Sequence, residues 1–433
     1  MDAPSTVVSP ARRIGRALGS RTFRSLRHPN YRLYFFGQLV SFLGSWVQST
    51  AMMWLAYDLT NDPGWPAYLM VAQVGPTLLV GPIGGAVADH FPKRRVIQAT
   101  QFAFMLNAMI LTLLVSGDFV TPVLLVAMQF ISGLIQGIDL PARLAVVTDL
   151  VPVDDVVNAV GLNSLLFNSA RAVGPAIAGL FFVLAKGWAD VSPGVDPTRW
   201  GAAACFAANS VSFLAVLLAL SRIEVPAGPV KTERGSFWDG FRYLARHRGL
   251  AGLVLLTGCF CVFAWPVLTL FPAYTRQVLG KAEGTYSLLL SAFGGGALVG
   301  ALTTATFGSH HRRGWFLVIG GAAGWVGLFV LLSATVLPLS MLACLFLGFG
   351  MVLYLSTGQS TLQTSVPNAT RGRVMALWAM MLSASSLPGH LIAGELARRW
   401  PVPDVLLLMF GGVAVTMIGL AVLIASKPFP HQQ

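Results

Sequence analysis

Charge is what this 433-residue chain has least of. Only 11% of its residues are Asp, Glu, Lys or Arg, against about 25% in a soluble domain. With 55% hydrophobic residues and a mean hydropathy of +0.69, it has too little polar surface to cover itself in water. That excludes a soluble enzyme and leaves an integral membrane protein. Cysteine is scarce as well. Cys205, Cys259, Cys261 and Cys344 all lie inside apolar runs, so no extracellular disulfide framework is expected. Cys259 and Cys261 fall on different helix faces, which is poor ligand spacing. No Gly-x-x-x-x-Gly-Lys-[Ser/Thr] loop is present, so ATP-driven transport is not suggested. No His, Cys and carboxylate cluster has metal spacing. Neither a cofactor nor an enzyme activity is expected. Residues 1–32 are basic and contain no apolar core, so no cleavable signal peptide is expected.

What is there is a series of long apolar runs. A membrane span needs about 20 apolar residues. The runs predict an all-α protein of twelve spans near 33–57, 66–88, 96–116, 121–148, 157–185, 200–221, 250–275, 285–307, 315–334, 338–364, 373–397 and 403–425. The 17 acids and 29 bases give a net charge of +12 and a pI near 10.1. The bases sit in short loops, so the positive-inside rule explains them better than a nucleic-acid partner does. On this count 21 bases fall on the side of the N-terminal arm and six on the other, which places both termini in the cytoplasm. A multi-pass protein of the inner (plasma) membrane is expected, as a monomer among membrane lipids.

The runs divide the chain into an N-terminal arm (1–32), a first six-helix bundle (33–221), a cytoplasmic connector (222–249), a second bundle (250–425) and a tail (426–433). Pro226, Gly228 and Pro229 open the connector as a linker. Phe237, Phe241 and Leu244 then recur at helical spacing, with Arg242 and Arg246 on another face. This predicts a short amphipathic helix at the membrane surface. The halves repeat. Val151-Pro152 recurs as Val366-Pro367, and at the same offset of 215 Leu162 meets Leu377, Gly174 meets Gly389 and Gly179 meets Gly394. Two pseudo-symmetric bundles follow, able to rock about a central site. The Gly294-Gly295-Gly296 run lies within a span and reads as close helix packing.

Several motifs carry a resemblance. Gly85-x-x-Ala88-Asp89-x-x-x-Lys93-Arg94-Arg95 is similar to the loop signature between the second and third helices of the major facilitator superfamily, with departures at His90 and Pro92. Gly44-x-Trp46-x-Gln48, Asp139-Leu140-Pro141-Ala142-Arg143, Asn158-Ala159, Leu162-Asn163-Ser164, Asn168, Arg171 and Gly174-Pro175 follow in order, then Gln363 and Arg371-Gly372-Arg373. Together they resemble the enterobactin-exporter-like branch, which also includes drug efflux pumps. The resemblance implies two six-helix bundles and proton-driven export of a small molecule. It also implies that Asp89 latches the halves together by meeting the start of the eleventh span when the cytoplasmic side closes.

Three groups of residues are singled out. Asp139 and Arg143, four apart, share a helix face and can pair. Arg171 lies mid-span, and charges in lipid face the bundle interior and pair. If Asp139 is its partner, either its protonation frees Arg171 and couples proton movement to transport, or the pair is a permanent tie between the fourth and fifth spans. A cytoplasmic gate is expected from Asp89, Lys93, Arg94, Arg95, Arg371 and Arg373, with Arg94 or Arg95 reaching Asp149, Asp154 or Asp155. Cavity-lining candidates are Gln38, Trp46, Gln48, Asn163, Asn168, Trp265, Tyr354, Gln359 and Trp378, since aromatics and amides suit a large amphipathic ligand. His390 is either titratable or a packing histidine, and Glu395 with Arg398 and Arg399 reads as a rim network. The expected function is a proton-coupled antiporter exporting a siderophore or amphipathic drug-like molecule. A lipid or lysolipid carrier is the alternative, and a non-transporting receptor a third reading.

Overall fold

Long apolar runs in lipid have one stable solution, the helix, because every backbone donor and acceptor must be satisfied within the segment. The computed structural model describes residues 23–192, 194, 196–223, 237–307 and 313–426. The arm to residue 22, the connector around Lys231 and Arg234, Arg312 and Lys427 lie outside the described residues. No strand occurs among the described residues. The first half runs α1 (Pro29–Thr60), α2 (Gly64–His90), α3 (Lys93–Ser116), α4 (Pro122–Asp149), α5 (Val156–Ala189) and α6 (Pro197–Arg222). A short helix, α7 (Phe237–Arg246), precedes the second half. That half runs α8 (Arg248–Ala264) with α9 (Val267–Gln277), α10 (Glu283–Phe307), α11 (Arg313–Ser333), α12 (Leu337–Ser365), α13 (Asn368–Ala397) and α14 (Val402–Ser426).

Among the described residues, 11 segments are long and apolar enough to cross a membrane. The twelfth, α1, has 32 residues but carries Gln38, Ser41, Ser45, Gln48, Ser49 and Thr50, which lower its apolar average. A helix of that length runs about 48 Å, longer than the hydrocarbon core. Apolar side chains such as Leu79 (78% exposed) and Val415 (69%) point outwards, as lipid contact requires and water would not allow. The seventh span differs from the single helix expected. It breaks at Trp265-Pro266, because Pro266 lacks the amide that would continue the helical ladder.

The halves meet where α5 packs on α10 and α2 packs on α13. A shift of 215 carries α5 onto α13 and α2 onto α10, so the two interfaces exchange under the internal repeat. Within the second half, small residues set the helix spacing. A Cβ on Gly348 of α12 would lie 1.9 Å from the Phe293 carbonyl oxygen of α10, and one on Gly296 of α10 would lie 2.0 Å from that of Leu345. Gly348→Val should force the two backbones apart, with a loss of about 1–3 kcal/mol or more. A clearly lower melting temperature in detergent checks this, and unchanged melting contradicts the packing.

The basic end is tied together by polar contacts. The Ser25 amide donates to Asn158 Oδ1 at 2.9 Å, and Tyr31 donates its hydroxyl to the Ala159 carbonyl at 2.8 Å. Arg24 and His28 both reach Asp155, at 2.6 and 2.7 Å. The chain leading into α1 is therefore docked on the α4–α5 turn. The connector helix α7 buries Gly240 and Leu244 and leaves Trp238, Phe241, Arg242 and Arg246 exposed. Its inward face is held to α13 by Asp239 and Arg373, 3.0 Å apart.

Candidate substrate path and gates

The end remote from Lys93–Arg95 is shut. Trp54 of α1 stacks on Tyr286 of α10 with ring centroids 5.6 Å apart, and both are buried. Beyond them lies a charged layer. Arg276 of α9 pairs with Asp58 of α1, and its guanidinium lies 5.3 Å from the Trp54 ring centroid. Arg398, just after α13, binds Asp62 through Nη2 at 2.6 Å and Nε at 2.8 Å, and donates to the Tyr68 hydroxyl at 2.7 Å. Tyr68 in turn hydrogen-bonds Glu395. Each of these contacts joins one half to the other, so the layer is a gate rather than packing within a bundle.

Charge-assisted, forked contacts of this kind are stronger than single exposed pairs. Burial pushes the Asp62 carboxyl up, but the Arg398 hydrogen bond, the Gly64 amide and the Arg398 charge outweigh it and hold the group below its ordinary value. Hydrogen bonding to Asp62 raises Arg398 in turn. The stabilisation from a depressed carboxylate is present above its ordinary pKa and is lost only as pH falls through the depressed one. The pair therefore stays charged in mildly acid surroundings.

The basic end is open. Gly64, Ala67, Gly75, Pro82, Gly85 and Asp89 fall on one face of α2. At the shut end this face touches α13, where a Cβ on Gly394 would lie 2.6 Å from that of Ala67. A Cβ on Gly75 or Gly85 would meet nothing within 4 Å, nor would one on Gly372 of α13. The two helices splay apart towards the basic end. Asp89 is exposed there and makes no ion pair among the described residues.

Between the ends lie two cationic side chains with opposite surroundings. Arg143 pairs with Asp139 on the same face of α4, and Asp139 is wholly buried. Thr100 and Gln101 of α3 also donate to Asp139 Oδ1, at 2.6 and 3.0 Å, and Arg143 Nη1 donates to Gln38 at 3.2 Å. This carboxylate is fully satisfied within the first half. Arg171 of α5 meets no carboxylate among the described residues. Its guanidinium lies 5.3 Å from the Trp46 ring centroid, 5.1 Å from Phe167 and 6.0 Å from Trp265, and its Nε is buried without a hydrogen-bond partner. Trp46 comes close because Gly174 is bare: a Cβ there would lie 2.4 Å from that of Trp46. Trp265 comes from the break in the seventh span, so the rings draw on both halves.

The family model for transmembrane secretion effectors matches residues 20–431. The chain belongs to this family of the major facilitator superfamily. The transporter is 25% identical to the enterobactin exporter EntS of Shigella flexneri, over 93% of each chain. It is 26% identical to the EntS of Escherichia coli O6:H1, over 93% of this chain and 94% of that one. Its fold is that of the solved nucleoside transporter NupG, with a TM-score of 0.66 at 13% identity, covering 92% of this chain and 100% of that one. A bacterial homologue of the iron transporter ferroportin, solved in an inward-facing state, gives 0.66 at 15% identity, covering 91% and 98%.

The transporter places several sequence candidates differently from expectation. Asp139 is paired to Arg143 rather than Arg171, because both of its oxygens are taken on α3 and α4. Lys93, not Arg94 or Arg95, reaches Asp149, at 2.6 Å. Arg94 donates to the Ser221 carbonyl at 2.8 Å, Arg95 is exposed, and Asp155 is held by Arg24 and His28. Arg371 donates to the Val366 carbonyl at 3.3 Å and Arg373 pairs with Asp239, so both are engaged within the second half and the connector. Of the cavity candidates, Gln38 is wholly buried against Arg143, and Tyr354 is buried on Phe260 with its hydroxyl 3.3 Å from that of Thr257. Trp378 is buried over Gly358. These three belong to bundle interiors. Gln48 accepts from Asn209 at 2.8 Å, and Asn168 donates to the Ser164 carbonyl at 2.9 Å. Asn163 is partly exposed and Gln359 exposed. Only Trp46 and Trp265 are brought together, around Arg171. His390 is buried with Nδ1 lacking a partner. Asp58, Asp62, Tyr68 and Arg276 of the shut end were not singled out from the sequence.

Proposed function

We propose that this transporter is a secondary active exporter, a proton-coupled antiporter that moves a siderophore or another amphipathic small molecule out of the cell by alternating access. The observation that carries the reading is the asymmetry of the two ends. One is shut by a layer of inter-half contacts, the other is splayed, and Arg171 lies between them at the junction of the halves. The positive-inside rule assigns the basic end to the cytoplasm. The structure is then inward-facing, in the state that loads cargo from the cell, with both termini cytoplasmic. Similarity to enterobactin exporters supports outward transport.

Opening outwards requires the shut layer to part and the basic end to close. As it closes, Asp89 meets the N-terminus of α13, where unpaired amides and the helix dipole favour an anion. Among the described residues Asp139 is the one acid in the middle of a span, which supports it as the proton carrier. Its protonation releases Arg143, whose guanidinium lies 4.9 Å from the Phe42 ring centroid. Phe42 packs edge-on against Phe167 at 5.7 Å, and Phe167 abuts Arg171, so the proton site and the cargo site share an aromatic contact. Cells with and without the transporter should accumulate enterobactin or a fluorescent amphipathic dye differently. Retention is expected to be lower with the protein, and an uncoupler should abolish the difference. A difference that survives the uncoupler would remove the proton coupling; no difference for any compound would remove the export.

A further inference from the structure

Arg171 is a charge without a counter-ion among the described residues. The chain has 17 acids, and those in the described spans other than Asp139 sit at helix ends or in turns. Asp139 is already consumed by Arg143, Thr100 and Gln101. Every other base in the described helices lies at a span end or beside an acid, whereas Arg171 is the sixteenth residue of a 34-residue helix. A cation there is expensive, and in membrane proteins it faces a partner or a functional cavity. Contact with ring faces offsets part of that cost but gives the guanidinium no hydrogen-bond acceptor. The position is nevertheless built. Gly174 admits Trp46 from α1, and Gly294 lets α10 approach until a Cβ would lie 2.5 Å from the Arg171 carbonyl oxygen. Arg171 itself is only partly exposed, and its Nε is buried with nothing to donate to.

We infer that the missing partner is carried by the cargo: the transported molecule bears an anionic oxygen group, a carboxylate or an ionised phenol, attached to a flat aromatic body. The anion pairs with the Arg171 fork, and the flat body lies against Trp46, Phe167 and Trp265. Two features of the site argue for both parts of that description. A guanidinium offers planar, forked donors that match an oxyanion better than a neutral amide or a cation. Three aromatic rings drawn from α1, α5 and the break between α8 and α9 provide stacking area at low conformational cost. Because Trp265 belongs to the second half and the other two rings to the first, an occupied site also bridges the halves. The inference rests on the exporter reading for the word cargo, but the binding site stands or falls on its own.

The test uses one aromatic body in three charge states: 1-naphthoate, 1-naphthamide and 1-naphthylmethylammonium, titrated into the purified full-length protein and followed by calorimetry. Naphthoate should bind at least tenfold more tightly than the amide, and the ammonium most weakly. Arg171→Gln should remove the preference for the anion, Arg171→Lys should keep part of it, and Trp265→Leu should weaken all three ligands by a similar factor. Equal binding of the three by the unaltered protein, or an anion preference that survives Arg171→Gln, would overturn the inference. Should Arg171→Gln not fold, Trp46→Leu and Phe167→Leu provide the second arm: both should weaken naphthoate at least severalfold, and no change in either would overturn it. The two readings separate in reconstituted vesicles. Efflux of a neutral or cationic dye without naphthoate binding would leave the exporter and remove the anion site. Arg171-dependent naphthoate binding without efflux of any solute would do the reverse.

Discussion

Replacing Asp62 by Asn and Arg398 by Gln should open the end of the transporter that is shut. The two side chains make the forked contact across the halves, and Arg398 also anchors Tyr68, which holds Glu395. The pair is partly exposed, with side-chain exposures of 30% and 27%, so only a fraction of its Coulomb energy is realised. A loss of about 1–2 kcal/mol from the state with the basic end open is expected, which moves the ratio of the two states roughly 5- to 30-fold. The Trp54–Tyr286 stack and the Asp58–Arg276 pair remain, so the shift is partial, and adding Trp54→Ala should extend it. Asp89→Ala should act in the opposite sense, because it removes the contact that would hold the basic end closed. Spin-label distances across the shut end check both. A double variant whose outer distance matches the unaltered protein contradicts the gate, and an Asp89→Ala protein with an unchanged state ratio contradicts the latch.

Asp139→Asn should separate proton movement from transport. One pH unit across a membrane is worth about 1.4 kcal/mol per proton, enough for a roughly tenfold gradient of an exchanged solute. In vesicles with an imposed pH difference of one unit, the unaltered transporter should approach that ratio. The Asn variant should equilibrate its solute to a ratio near one. The same substitution leaves Arg143 without its carboxylate, and breaking a buried pair from one side costs about 3–5 kcal/mol, so melting should fall as well. Thr100 and Gln101 lose their shared acceptor in part, which adds to the effect. A variant that melts lower yet still builds the tenfold ratio would make the Asp139–Arg143 pair a structural tie of the first bundle and nothing more.

The sequence announces its spans because lipid forces a uniform answer on long apolar runs. The break at Trp265-Pro266 escapes that reading, since hydropathy is blind to where a proline interrupts a run. Pairs four residues apart are equally legible: Asp139 with Arg143, and Phe167 with Arg171, follow from the helical period alone. Contacts between the halves are not. Asp58 lies 218 residues from Arg276, and Asp62 lies 336 from Arg398. Nothing in local pattern selects one acid for one base over such spacing. Lys93 against Asp149 shows the same limit at closer range, because turn geometry picks one of three adjacent bases. Polar side chains inside spans are also ambiguous between a cavity and a bundle core. Gln38 and Tyr354 turned inwards, towards Arg143 and Thr257, while Trp46 and Trp265 converged on a charge that no carboxylate meets.

The halves are expected to rock about the Arg171 region, so that one end opens as the other shuts. Two pairs of labelled cysteines report on it, in protein whose Cys205, Cys259, Cys261 and Cys344 have been replaced. Phe91 and Phe307 are exposed at the basic end of opposite halves, and Phe119 and Val336 are exposed at the far end of opposite halves. Electron–electron resonance distances in vesicles, taken with and without an imposed proton gradient and a transported solute, give both spacings. The Phe91–Phe307 distance is expected to shorten in the same population in which the Phe119–Val336 distance lengthens. Two distances that change together, or that stay fixed while solute crosses the membrane, would contradict it.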